Sequence, residues 1–163
     1  MSDPKAVVLE NFSHVCIGVS DMDAALTFYT SVLGMDVVFD VKLDGAGLDD
    51  VTGTSGARGR MVGGLVGGAM VELLDLGAVP GIAEGPHLGY TNISFRVRDL
   101  DEAQRLLAHH RGLRYIAPAD IGGVRMLFVY DPDGTPIEVI DLPGEATTTV
   151  EMWRREPPST ERR

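Results

Sequence analysis

Two glutamates sit where carboxylates are expensive to place. Glu72 lies between Val71 and Leu73 in the run MVELLD, and Glu138 lies between Ile137 and Val139 in PIEVID. Both runs have the apolar, short-range character of strands. Burying an unpaired carboxylate costs several kcal/mol or forces a change of protonation. A histidine and an asparagine occupy comparable places. In FSHVCIGV, strand alternation groups His14 with Phe12, Cys16 and Gly18 and sends Val15, Ile17 and Val19 to the other face. In YTNISFRV, Asn92 and Ser94 oppose Ile93 and Phe95 in the same way. Two carboxylates and an imidazole converging in one hollow are reconciled most simply by a bound divalent cation. The alternative is that each Glu faces solvent or pairs with an arginine, and Arg58, Arg60, Arg96 and Arg125 are available for that.

The elements that must position these residues occur twice. Residues 12–35, FSHVCIGVSDMDAALTFYTSVLGM, align without a gap on residues 90–113, YTNISFRVRDLDEAQRLLAHHRGL. His14 and Asn92 stand 78 positions apart, and the same offset pairs Asp21 with Asp99, Ala25 with Ala103 and Gly34 with Gly112. Glu72 and Glu138 stand 66 apart, so the first copy is longer by 12 residues. Two copies of one small module are too few for a solenoid.

Each copy reads as β-α-β-β-β. Residues 12–19 form a strand, and Ser20 or Asp21 caps a helix that carries Ala25, Leu26, Tyr29, Val32 and Leu33 at helical spacing. Gly34 suits the left-handed position that ends such a helix. A strand follows at 36–43, and residues 44–59, rich in Gly, Asp, Thr and Ser, read as a long loop. Strands at 60–66 and 69–76 meet at Gly67-Gly68, a tight hairpin turn. In the second copy the strand is 90–97, the helix 99–111 and the next strand 113–117. A final hairpin, 124–130 with 136–142, turns at Asp131-Pro-Asp-Gly134. The chain therefore divides into a lead-in at 1–11, a first module at 12–76, a linker at 77–89, a second module at 90–142 and a tail or arm at 143–163. The fold class is α+β: two βαβββ modules in tandem, forming a curved eight-stranded mixed sheet around a central hollow with the helices outside.

Composition narrows the partners. A net charge of −10 over 163 residues argues against nucleic acid or an anionic membrane, but not against a small anionic substrate. A single cysteine, Cys16, excludes an internal disulfide and a thiolate metal cluster, and it reads as a small core residue. The start MSDPKAVV lacks the pattern of a secretion signal, and no apolar run reaches a membrane-spanning length. The expectation is a soluble cytoplasmic protein.

At HVCIGVSDMDAALTFYTSVLGM, MVELLDL and above all FVYDPDGTPIEVID, the chain resembles the vicinal oxygen chelate superfamily, the glyoxalase, bleomycin-resistance and extradiol dioxygenase group. The resemblance spans residues 12–142. It implies up to four metal ligands, one on the first and one on the last strand of each copy. Those positions are His14, Glu72, Asn92 and Glu138. Asn92 departs from the pattern, because metal-binding relatives commonly carry His there. An amide oxygen binds a borderline metal less well than imidazole does. One His and two Glu suit one divalent ion per chain, drawn from Mn²⁺, Fe²⁺, Co²⁺, Ni²⁺ and Zn²⁺.

The resemblance further implies a metal-dependent lyase, isomerase or epimerase acting on a small molecule with neighbouring oxygens. The cation would act as a Lewis acid, and Glu138 or Glu72 would move a proton. A metal-free, antibiotic-sequestering protein is the alternative, weakened by an aromatic content of only 6%. A ring-cleaving dioxygenase ranks third. A homodimer is expected, with Trp153 of the tail as a contact. Arg58 or Arg60 could fork onto a substrate carboxylate or phosphate, or pair with a loop Asp, while Tyr90 and His87 could line the pocket mouth. His109 and His110, at the end of the second helix, read as surface residues.

Overall fold

The two modules meet through side chains and not through a shared backbone ladder. A computed structural model describes residues 12–81 and 89–154, apart from the side chains of residues 153 and 154. The first module runs β1 (Val15–Gly18), α1 (Met22–Ser31), β2 (Asp36–Asp44), α2 (Ala46–Thr52), β3 (Arg58–Val66) and β4 (Ala69–Asp75). The second runs β5 (Ile93–Arg96), α3 (Leu100–Leu107), β6 (Tyr115–Ile121), β7 (Val124–Tyr130) and β8 (Pro136–Asp141), followed by α4 (Thr149–Arg154). The strand orders are β1-β4-β3-β2 and β5-β8-β7-β6, so the two sheets share one topology. In each, the first strand runs parallel to the last and the other neighbours are antiparallel. The eight expected strands are present as two four-stranded mixed sheets rather than one continuous sheet.

Helices α1 and α3 start on Asp21 and Asp99, which share one repeat position. Asp21 Oδ1 accepts from the Asp23 and Ala24 amides, both at 3.0 Å. Asp99 Oδ1 accepts from the Glu102 amide at 2.9 Å. These bonds satisfy amides that the helix itself leaves unpaired. Gly34 and Gly112 take φ of 68° and 78°, where a side chain would be strained.

One face of each sheet packs into a common core. Ile17, Val62, Val71 and Leu73 of the first sheet, Leu127, Val129, Ile137 and Val139 of the second, and Ala25, Phe28 and Tyr29 of α1 form one buried cluster. Polar contacts tie α1 to the turn after β7. The Tyr29 hydroxyl donates to Asp131 Oδ2 at 3.0 Å. Ser20 donates through its amide and its hydroxyl to Asp133, at 2.9 and 2.5 Å. The Asp131-Pro-Asp-Gly134 turn thus both closes a hairpin and docks the modules.

Several elements differ from the sequence reading. The expected loop at 44–59 contains α2, which starts after Gly45 and stops at Gly53, φ 67°. Asp49 of that helix accepts from the Gly56 and Ala57 amides at 2.9 and 2.8 Å and so draws in the chain that follows. Strand β6 begins later and runs longer than expected. It carries Pro118 on an edge, where its register shifts between Ile116 and Ala119, a place where a residue without an amide proton is tolerated. Helix α3 ends at Leu107 instead of Arg111. Cys16 is exposed, not a core residue, because alternation carries it to the open face of β1 while Ile17 and Val19 go inward. The start of the tail folds back on its own chain: Ala146 is fully buried in a cluster with Ile140 and Leu142, and Met152 packs against it. The lead-in, most of the linker with His87, and the Trp153 side chain lie outside the described residues.

Candidate metal centre

The polar residues singled out by the repeat face away from the core, on the open face of each sheet. Register lines them up in matching rows. Across the first sheet the row is Phe39, Gly63, Glu72 and Cys16, on β2, β3, β4 and β1. Across the second it is Ile116, Phe128, Glu138 and Ser94, on β6, β7, β8 and β5. Glu72 and Glu138 therefore hold equivalent places, as do Cys16 and Ser94.

His14 reaches Glu72 from just before β1. Its Nε2 stands 3.4 Å from Glu72 Oε2, with the glutamate side chain 15% exposed and the histidine side chain 42%. Ser13 Oγ lies 3.0 Å from His14 Nδ1. A hydroxyl donating there leaves the ring proton on Nε2, facing the carboxylate. In the second half Asn92 Nδ2 donates to Glu138 Oε2 at 3.3 Å, and the Ser94 hydroxyl donates to the same oxygen. Asn92 Nδ2 also lies 3.0 Å from Ser94 Oγ. Alternation places Ser94 on this face with Asn92, but its bond to Glu138 has no signal in the sequence.

The donor sets suit a cation. Two ligand atoms about 2.1 Å from a tetrahedral ion lie about 3.4 Å apart, which is the His14–Glu72 separation of 3.4 Å. The second half has a similar spacing, once its amide is turned to present oxygen. Within one chain, however, no three His, Cys, Asp or Glu side chains among the described residues come together as a metal-binding group. The structure brings His14 to Glu72 and Asn92 to Glu138, and it leaves the two pairs on separate sheets.

Neighbouring groups shape each half. The ring of Phe39 lies where a side chain at Gly63 would be, 2.2 Å from an idealised Cβ, so this glycine lets the aromatic ring lie in the row of Glu72. Burial first, and the Glu72 carboxylate second, push the Cys16 thiol above its ordinary range. Cys16 is held as a neutral thiol, which does not suit it to act as a nucleophile.

Of the other sequence candidates, the arginines fall elsewhere and Tyr90 lies near Asn92. Arg60 forks onto Asp40, at 3.0 Å from Nε and 2.7 Å from Nη2, and reaches Asp23 at 3.1 Å. It ties β2 and β3 to the start of α1. Arg58 is exposed on β3. Tyr90 is exposed and lines two clefts together with Asn92 and Ile93. His109 Nδ1 sits 2.7 Å from the Arg105 carbonyl at the surface.

A family model described as Glyoxalase/Bleomycin resistance protein/Dioxygenase superfamily matches residues 11–139. The chain belongs to that superfamily. Among curated superfamily relatives, a 2-epi-5-epi-valiolone epimerase from Actinomyces sp is 28% identical over 161 residues, covering 88% of this chain and 87% of the relative. A glyoxalase family protein from Bacillus cereus superposes with a TM-score of 0.68 at 23% identity, covering 86% of this chain and 97% of that one. The fosfomycin resistance protein FosX from Listeria monocytogenes gives 0.62 at 13% identity, covering 89% and 99%. A variant of that FosX, solved with Mn(II) and 1S,2S-dihydroxypropylphosphonic acid, gives 0.58 at 14% identity, covering 81% and 92%. At such identities the superpositions speak for the fold.

Proposed function

We propose that the chain is a metal-dependent enzyme of the epimerase, isomerase or lyase kind, acting on a small molecule with neighbouring oxygens. The observation that carries this reading is the repeated pair: His14 with Glu72 at 3.4 Å, and Asn92 with Glu138 at 3.3 Å. Epimerisation is favoured among the three by the name of the 28% identical relative. The Mn(II) complex of the FosX variant supports a divalent ion as the cofactor.

When bound, a divalent cation supplies Lewis-acid polarisation of a substrate oxygen. His14 and Glu72 would hold it from one half, and Glu138 with the Asn92 amide oxygen would hold it from the other. Because one chain keeps these halves on separate sheets, the full set of four would form only if two chains paired with their open faces together. The functional unit would then be a homodimer. A carboxylate, Glu72 or Glu138, would move the proton on the carbon beside that substrate oxygen. Ser94 and Asn92 hold Glu138 in place through hydrogen bonds to one oxygen.

The test is solvent deuterium exchange, followed by proton NMR, on a panel of hydroxyketones and hydroxyacids with Mn²⁺ supplied. Exchange is expected at the carbon beside the carbonyl of at least one compound, lost in both Glu72→Gln and Glu138→Gln. Exchange that persists in both variants contradicts the assigned roles. Tight binding of an aromatic compound without metal or exchange favours the sequestering alternative.

A further inference from the structure

Arg96 is a cation without an assigned counter-charge. It lies on β5 two residues after Ser94, so strand alternation places both side chains on the open face. The Ser94 side chain is fixed there by its bond to Glu138. Arg96 Nε is buried and has no hydrogen-bond partner. The other half-buried guanidinium groups are spoken for: Arg60 pairs with Asp40 and Asp23, and Arg125 pairs with Asp101. Arg96 makes no ion pair among the described residues. In a chain of net charge −10, carboxylates to meet it are not scarce. Glu138 is the acid on its face, and register sets that residue opposite Ser94 while Arg96 faces Ile140.

A guanidinium is always charged, and a buried donor left unpaired costs free energy that a ligand can return. Arg96 lines a cleft of about 530 Å³ shared with Asn92, Ser94, Thr147 and, from the first module, Met70 and Val71. The cleft thus places a forked cation beside the second half of the candidate metal centre. Two strand residues span about 7 Å, which sets the distance along β5 from the Ser94 level to Arg96.

We propose that Arg96 is the receptor for an oxyanion on the ligand, so that the molecule this protein takes carries a carboxylate or phosphate group beside the oxygens placed at Glu138. The fork of two parallel N–H donors matches both groups. As a statement about the substrate this rests on the proposed function, but the anion site itself does not need the metal. The experiment is therefore made on full-length protein stripped with chelator and dialysed. Inorganic phosphate and malonate are titrated by calorimetry into wild type, Arg96→Gln, Arg96→Lys and Arg98→Gln, the last removing an exposed neighbouring charge. Circular dichroism verifies that each variant is folded. Wild type and Arg98→Gln bind at least one anion with the same affinity. Arg96→Gln loses about tenfold or more, and Arg96→Lys falls between, because a point charge keeps attraction without the fork. Whichever probe binds more tightly names the group. Absence of binding to wild type, or equal affinity in Arg96→Gln, overturns the proposal. Metal uptake measured separately is unaffected by that outcome, so failure here and failure of the metal reading are told apart.

Discussion

His14 Nε2 faces Glu72 Oε2 at 3.4 Å, and the two residues are 58 positions apart in the chain. Parallel pairing of β1 with β4 brings them together, since Val15 and Cys16 stand opposite Val71 and Glu72. The second module makes the same contact with Asn92 and Glu138. One half thus offers imidazole and carboxylate, and the other offers amide and carboxylate.

That difference yields a first prediction. Asn92→His restores an imidazole at the repeat-related position, and nitrogen suits Co²⁺, Ni²⁺ and Zn²⁺ better than an amide oxygen does. The variant should bind these ions at least about tenfold more tightly. Competition against a chromophoric chelator measures this. An unchanged affinity would place Asn92 outside the coordination set.

Tyr29 and Asp131 form the buried polar link between modules. Tyr29→Phe keeps the packed ring and removes the donor to a carboxylate. It should lower stability by about 1–3 kcal/mol in urea unfolding. A loss below about 0.5 kcal/mol would mean that the contact adds nothing beyond packing.

Asp131 also gives stability a pH dependence of definite sign. Burial raises its carboxyl above the ordinary value, against the opposing hydrogen bonds from Thr135 and Tyr29. The folded protein therefore keeps this proton to higher pH than the unfolded chain does. The contribution of Asp131 favours folding at low pH and is lost as pH rises from the ordinary carboxylate range through the folded value. Asp40 and Asp101 slope the other way, because hydrogen bonds from Arg60 and Arg125 hold them low. Comparison with Asp131→Asn isolates the term. The stability of the variant relative to wild type should rise as pH climbs through that window and level off above it. Parallel curves would contradict the assignment.

Gly63 and Gly64 separate packing from site geometry. A Cβ on Gly64 would stand 2.7 Å from the Asp36 carbonyl oxygen, a backbone atom of the neighbouring strand. Gly64→Ala should cost about 1–3 kcal/mol of stability, as overpacking does. A Cβ on Gly63 meets the end of the Phe39 ring, which can turn aside. Gly63→Ala should cost less stability and change metal affinity instead, because Phe39 lies in the row of Glu72. Urea unfolding and metal titration on both variants test the contrast.

Much of this was legible from residue patterns for physical reasons. Asp21 and Asp99 are helix caps at one repeat position, and both act as caps. Gly67 and Gly68 both take positive φ in their hairpin. The faces of β1 and β5 followed from alternation, which is local. What escaped notice depended on distant parts of the chain. Helix α2 was hidden by flanking glycines that serve as its ends. Ser94 and Phe39 gained their places through cross-strand register, and Asp131 through docking against Tyr29. The separation of the two half-sites follows from how the modules pack, which the repeat does not encode.

The most direct measurement is metal content of tag-free protein purified without chelator and equilibrated with Mn²⁺, Co²⁺, Ni²⁺ or Zn²⁺, beside a His14→Ala variant. A metal role for this site requires about one ion per wild-type chain, thermal stabilisation by that ion, and loss of both in the variant. Wild-type protein that takes up no ion and gains no stability from any of the four would contradict it.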